Sequence, residues 1–245
     1  MTFSIYKNRN LQNKIFMTNI LITGASRGIG YATTKLLVQN PNYQVITLSR
    51  NIAQLMDLHA THANLFPFVF DLTDFDTKIL DQIKAQFGEI HILINNAGYL
   101  VKKPFEQLTD LDWLHSFEVN VFSVVRLIKA FLPCMGKTTK AHILNIGSMG
   151  GFQGAVKFSG LSAYSASKSG LANLTETLSI ELLEKHIIIN CLALGSVQTE
   201  MFEEAFPNAE ASLQTDKIAE YVAWFALHGH SFHCGKVIPV AFSTP

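Results

Sequence analysis

The sequence predicts an α/β fold: a doubly wound, mainly parallel sheet of seven strands with helices on both faces. Three observations carry this. Short β-branched runs alternate with longer stretches of helical periodicity, the order that right-handed strand–helix–strand crossovers produce. Most of the short runs are apolar at consecutive positions, which marks strands buried on both faces. A glycine cluster separates the first run from the first helical stretch.

In chain order the strands are NILIT (19–23), QVITLS (44–49), LFPFVF (65–70), IHILI (90–94), HILNI (142–146), IIINCLAL (187–194) and KVIPV (236–240). Pro67 and Pro239 weaken two of these or move them to a sheet edge, because proline cannot donate to a ladder. One helix runs from Ile29 to Val38. Another runs from Asp76 to Phe87, with Ile79, Ile83 and Phe87 on one face. A long one spans Asp110 to Leu132 and carries Trp113, Phe117, Val121, Val124, Ile128 and Phe131 at helical spacing. A fourth spans Tyr164 to Leu183, striped by Leu171, Leu174, Leu178 and Leu182.

With 245 residues and no linker, repeat or low-complexity segment, one domain over 17–245 is expected. Residues 1–16 read as a flexible extension ahead of Met17. Nearly half of the chain is hydrophobic (48%), enough for a large core, and the 19 basic and 19 acidic residues cancel. A neutral chain gives no field for nucleic acid or an anionic membrane. No acid precedes Asp57, whereas Arg27, Lys35 and Arg50 do, so an anion bound by the first part meets no repulsion there. Cys134, Cys191 and Cys234 are odd in number and lack a C-x-x-C pairing, which suits a reduced, cytoplasmic setting. No apolar run reaches the length of a bilayer span.

The stretch ILITGASRGIGYA ends a buried strand and opens a helix through Gly24, Gly28 and Gly30. Glycines there let the backbone approach a phosphate while the helix N-terminus supplies N–H donors. Ser26, Arg27 and Ile29 belong to the same turn. The second strand ends in Ser49-Arg50-Asn51 instead of the acid that accepts from an NAD ribose. Two guanidiniums and no carboxylate suit a 2′-phosphate, so NADP(H) is expected in preference to NAD(H). Asp71, with Leu72, follows the third strand; its carboxylate either accepts from an adenine amino group or caps the helix that starts near Phe75.

The ordered set TGASRGIG (23–30), NNAG (95–98), Asn120, Ser148 and Tyr164-x-x-x-Lys168 resembles the short-chain dehydrogenase/reductase family, from about Met17 to the last strand. The resemblance implies a Rossmann-like fold and hydride exchange between NADP(H) and a carbonyl or alcohol. It makes Tyr164 the acid/base, its pKa drawn down by Lys168, which also grips the nicotinamide ribose. Ser148 would position the substrate oxygen, and Asn120 would hold a relay water. Asn95 would tie neighbouring strands, with Asn96, Ala97 and Gly98 beside the cofactor. Gly195, Val197 and Thr199 would contact the carboxamide and phosphates, although Leu194 stands where the family usually has proline.

Ser148, Met149, Phe152, Phe158, Tyr99 and Leu100 would line a mainly apolar substrate pocket, with 201–213, including Met201, folding over it as a lid. The histidines and cysteine of HGHSFHC (228–234) sit in a surface loop, and no metal site is expected there. Relatives pair the helices over 110–132 and 164–183, which implies a homodimer or homotetramer. A second reading keeps the fold but makes it a non-catalytic NADP(H)-binding redox sensor. A dehydratase or epimerase is a third.

Overall fold

The computed structural model describes residues 17–242, so the extension assigned to residues 1–16 lies outside the described residues. A seven-stranded sheet runs through them: β1 (Thr18–Thr23), β2 (Tyr43–Ser49), β3 (Leu65–Val69), β4 (Ile92–Asn95), β5 (Ala141–Ser148), β6 (Ile187–Leu194) and β9 (Val237–Val240). The spatial order is β3-β2-β1-β4-β5-β6-β9, with every pairing parallel. Two short strands, β7 (Val197–Gln198) and β8 (Leu213–Gln214), pair outside it. Pro67 and Pro239 fall on β3 and β9, the two edges, where their missing N–H costs no ladder bond.

Alternation along each strand feeds two cores. Ile20 and Ile22 of β1 face one cluster, and Leu21 faces the other. The first cluster is closed by α1 (Gly28–Leu37), α2 (Ala53–His59) and α8 (Thr215–His228), through Leu37, Leu55, Ile218, Val222 and Phe225. The second is closed by α3 (Thr77–Phe87), α5 (Ser123–Phe131) and α6 (Ser162–Leu182), through Ile83, Leu127, Phe131, Leu171 and Leu182. The expected doubly wound architecture is therefore present. The strand order reverses between β1 and β4, so a crevice opens above their carboxyl ends.

Three helices were not anticipated: α2, α7 (Glu200–Ala205) and α8. The stretch expected as one helix over 110–132 is α4 (Asp110–Phe117), a π-turn over Glu118–Phe122, and then α5. The start of α4 is fixed by a reciprocal cap: Thr109 Oγ1 accepts from the Asp112 N–H at 3.2 Å, and Asp112 accepts from the Thr109 N–H at 2.9 Å.

Candidate active site

The crevice is built first from backbone. Gly24 and Gly28 hold φ of 65° and 54°, conformations that favour glycine. Space forbids side chains as well: a Cβ on Gly24 would lie 2.7 Å from the Ala97 Cα, and one on Gly30 only 2.3 Å from the Gly24 carbonyl oxygen. Asn96 locks the turn by donating from Nδ2 to the carbonyls of Thr23 and Gly24, both at 3.0 Å. Thr23 Oγ1 accepts from the N–H groups of Asn96 and Ala97, at 3.1 and 3.0 Å. Ser49 Oγ accepts from the Ala25 N–H at 3.0 Å, tying β2 to the same turn. Asn96 and Ser49, expected to touch a cofactor, thus spend their side chains bracing the loop.

Arg27 occupies the N-cap of α1 without capping it, and the first turn, which includes Ile29, carries no acid. That turn keeps N–H donors free for an anion. Ser26 precedes it in the loop. Gly98 leaves bare backbone on the far side: its ideal Cβ would be 3.4 Å from Asn120 Oδ1 and 3.5 Å from Lys168 Nζ. These glycine-lined surfaces fit a dinucleotide that runs from α1 towards Lys168.

At the carboxyl end of β5, Ser148 Oγ accepts from the Gly150 N–H at 3.1 Å, starting a tight turn. The first helical turns of α6 press against that turn, so closely that a Cβ on Gly151 would meet the Lys168 carbonyl carbon at 2.5 Å. Lys168 is only 4% exposed and donates from Nζ to the Ile146 carbonyl at 2.8 Å. Burial pulls its pKa down to about 8, opposed weakly by the Cys191 sulfur nearby. Its ammonium lies 6.0 Å from the centroid of the Tyr164 ring.

Burial pushes the Tyr164 phenol above its ordinary value, and a hydrogen bond with Ser148 works against that rise. The sequence reading expected the opposite direction, with Lys168 drawing the phenol down. The correction has a physical cause: the ammonium serves a main-chain carbonyl, and the packing around the half-buried phenol penalises its anion. Within the protein alone, Tyr164 holds its proton.

Asn120 sits in the π-turn, fully buried. Its Oδ1 accepts from the Tyr99 N–H, and its Nδ2 donates to the Tyr99 carbonyl and to Ser167 Oγ, each at 2.9 Å. The extra residue of a π-turn aims a side chain across the helix instead of along it, and such turns recur at functional sites. Asn95 Nδ2 donates to Asn145 Oδ1 at 2.8 Å, linking β4 to β5 as expected. Asn120, Ser148, Tyr164 and Lys168 are gathered around one corner of the crevice.

Elsewhere the expected contacts carry structural duties. Asp71 accepts from the N–H and Oγ1 of Thr73 at 2.8 and 2.7 Å, which hold its carboxyl below the usual range. The helix cap considered for it belongs to Asp76, which accepts from the Lys78 N–H at 2.9 Å. The Leu72 carbonyl accepts from Arg126 at 3.1 Å. Asn51 Oδ1 accepts from the Ala53 N–H at 2.9 Å where α2 begins, and Arg50 is exposed beside it. The Gly195 N–H donates to the Val240 carbonyl at 2.9 Å, Val197 lies in β7, and Thr199 caps α7 through the Phe202 N–H. Arg27 reaches from the glycine turn to Glu204 of α7 at 3.1 Å, a pairing that sequence reasoning missed.

Of the residues assigned to substrate, Met149 is buried; Leu100, Phe152 and Met201 are half-buried; and the Tyr99 ring meets His115 edge-on at 4.3 Å. A cleft of about 440 Å³ opens beside them, lined by Lys102, Lys103, Pro104, Phe158, Gly160 and Phe206. Phe158 was anticipated; the lysines and Phe206 were not, although two consecutive lysines just beyond NNAG were a visible signal. The expected surface loop over 228–234 is instead the end of α8 and a 3-10 turn, with His230 tilted at 48° to the His142 ring and His233 stacked on Phe225. Among the described residues no three His, Cys, Asp or Glu side chains are placed to hold a metal. No described helix is long and apolar enough to cross a membrane.

Comparison with known proteins agrees with this geometry. Residues 18–210 match the family model described as short chain dehydrogenase. The chain is 35% identical over 244 residues to the 3-oxoacyl-[acyl-carrier-protein] reductase FabG of Escherichia coli (strain K12), covering 94% of this chain and 97% of that one. It is 34% identical over 187 residues to human retinol dehydrogenase 8, covering 74% and 59%. Among solved structures it resembles a mutant short-chain dehydrogenase/reductase from Serratia marcescens, with TM-score 0.81, 26% identity and coverage of 92% and 97%. It also shares the fold of ElxO with NADP bound, with TM-score 0.80, 24% identity and coverage of 91% and 97%. The chain belongs to the short-chain dehydrogenase family of oxidoreductases.

Proposed function

We propose that this protein is an NADP(H)-dependent carbonyl reductase, with Tyr164 as proton donor, Ser148 as the group that positions the substrate oxygen, and Lys168 as the ribose clamp. The observation that carries the reading is the gathering of half-buried Tyr164 and Ser148 with buried Lys168 at one corner of the crevice. The Lys168 ammonium lies 6.0 Å from the Tyr164 ring centroid, one helical turn on, and the turn that Ser148 starts packs against the same helix. The phenol, protonated at neutral pH, can give a proton to a developing alkoxide, as carbonyl reduction requires. When bound, the nicotinamide coenzyme supplies the hydride.

Lys168 retains two N–H donors beyond the one given to Ile146, enough for a ribose diol. Asn120 fixes the Tyr99 backbone; both Nδ2 hydrogens go to the Tyr99 carbonyl and Ser167 Oγ, so the relay water proposed for it takes the remaining lone pair of Oδ1. Preference for NADP(H) rests on Arg27 and Arg50 and on the absence of an acid at the end of β2. Reduction of a 3-oxo compound agrees with the name of the FabG relative, a 3-oxoacyl-[acyl-carrier-protein] reductase. The described chain acts as one unit in the cytoplasm, and the exposed Leu111, Leu114, Ile180 and Leu183 support pairing into a homodimer or homotetramer.

A panel of ketones, aldehydes and 3-oxo esters with purified protein tests this directly. NADPH is expected to be consumed with at least one class, and more efficiently than NADH. Tight NADPH binding with no turnover across the panel favours the sensor reading instead.

A further inference from the structure

The cleft that ends at Gly160, just before α6, has a composition that a pocket for purely apolar carbonyl compounds does not need. Two consecutive lysines and two phenylalanines line it, and no carboxylate does. The lysines differ in what they do. Lys103 is spent: its Nζ contacts both carboxylate oxygens of Asp112, at 2.8 and 2.9 Å, and its N–H donates to the Gly160 carbonyl at 3.0 Å. It fastens the wall to α4 and to the loop before α6.

Lys102 is different. Its ammonium donates once, to the Ala205 carbonyl at 3.0 Å, and sits 4.0 Å from the centroid of Phe206. Among the described residues it forms no ion pair. An aromatic face holds a cation in place without neutralising it, and an ammonium has three donors. Lys102 therefore keeps its charge and two N–H groups for something else.

Phe206 is itself stacked on Phe202 at 5.2 Å and meets Phe158 at 6.4 Å. The rings join α7 to the loop of residues 152–161. Gly160 lies four residues before Tyr164, so the cleft ends within roughly 14 Å of the helix turn that carries Tyr164.

Resting on the carbonyl-reductase reading, we propose that this cleft selects substrates with an apolar body and a terminal anion, a carboxylate or phosphate, bound by Lys102 while the distal carbonyl reaches Tyr164. Lys102 is the specificity-determining residue, and the Phe158–Phe206 pair covers the apolar segment.

The test compares an oxodecanoate, its ketone next to the terminal methyl, with its methyl ester, each reduced by NADPH. The free acid is expected to show about tenfold higher kcat/KM than the ester, a ratio that falls towards one in Lys102→Met and survives in Lys102→Arg. The preference also shrinks as salt is raised, because the ammonium is exposed. Lys78→Met, on α3, is the charge-matched control and leaves the ratio intact. A wild-type ratio near one, or a ratio unchanged in Lys102→Met, overturns the proposal while leaving the reductase reading standing.

Calorimetric titration of octanoate against octanol separates the two readings. Octanoate binding that depends on Lys102, in a protein that reduces no carbonyl compound of the broad panel, supports the anion site and overturns the reductase assignment. Equal binding of octanoate to wild type and Lys102→Met overturns the site. An alkyl phosphate in place of octanoate then shows which anion is preferred.

Discussion

Both ends of β5 carry buried polar groups, and the two ends use them in opposite ways. At the carboxyl end Lys168 gives one N–H to the Ile146 carbonyl, and Ser148 Oγ accepts from the Gly150 N–H, so each keeps further capacity. At the amino end His142 is 1% exposed and spent on both nitrogens: Nδ1 donates to the Ala226 carbonyl at 2.9 Å, and Nε2 accepts from Asn190 at 3.2 Å. Asn190 is itself saturated, donating to the His233 carbonyl at 2.9 Å and accepting from the Lys236 N–H at 3.0 Å. Glycines surround the first group, whereas Phe225 and His230 pack within 5.9 and 5.4 Å of the His142 ring. A polar group in the interior is thus available for chemistry where hydrogen-bonding capacity is left over, and is committed to stability where it is used up.

The comparison is broken most severely by removing one oxygen. Tyr164→Phe is expected to lower kcat by about 10²–10⁴ in carbonyl reduction, the range that a positioned proton donor supplies. NADPH affinity and the urea midpoint should change little, because the ring still fills its place. Retention of most activity places the proton donor elsewhere.

At the other end the expected effect is on stability, with the sign set by His142. Burial holds its pKa near 4, against about 6.5 when unfolded. Between those values the unfolded chain takes up a proton that the native one refuses. Stability is therefore lost as pH falls from about 6.5 to about 4, by roughly 3 kcal/mol for this one group. His230, also held low by burial, adds in the same direction. Urea midpoints from pH 7 to pH 4 are expected to fall steeply in wild type and distinctly less in His142→Gln. Identical slopes would remove His142 as the source.

The two ends also differ in how far they were legible in the sequence. Gly24, Gly30 and the Tyr164–Lys168 spacing are local requirements: a tight turn, a close approach, one helical turn. Residue type at a fixed offset reveals those. The duties of Asn96 and Ser49 depend on β4 and β2 arriving beside the glycine turn, and no local pattern encodes that. The π-turn at Asn120 was hidden because its apolar stripe continues on both sides with only a one-residue slip. Helix α8 escaped because AEYVAWFALH is apolar around most of its circumference, so no stripe stands out. Lys102 was passed over because its aromatic partner, Phe206, lies more than a hundred residues away.

The smallest effect tests how α7 is coupled to the glycine turn. Arg27, proposed to take the 2′-phosphate, is paired at 3.1 Å with Glu204, the two side chains 52% and 67% exposed. An ion pair this wet contributes at most about 1 kcal/mol, so it competes with a phosphate only weakly. Glu204→Gln frees the guanidinium and is expected to lower the KM for NADPH by no more than about fivefold, while the KM for NADH stays put. Arg27→Ala should act in the reverse sense and more strongly, since a bidentate phosphate contact is lost along with the pair. If Glu204→Gln shifts both coenzymes equally, the pair works through the position of the lid and not through the phosphate. The ionic-strength series decides between these: competition at Arg27 fades as salt is raised, and a steric effect of the lid does not.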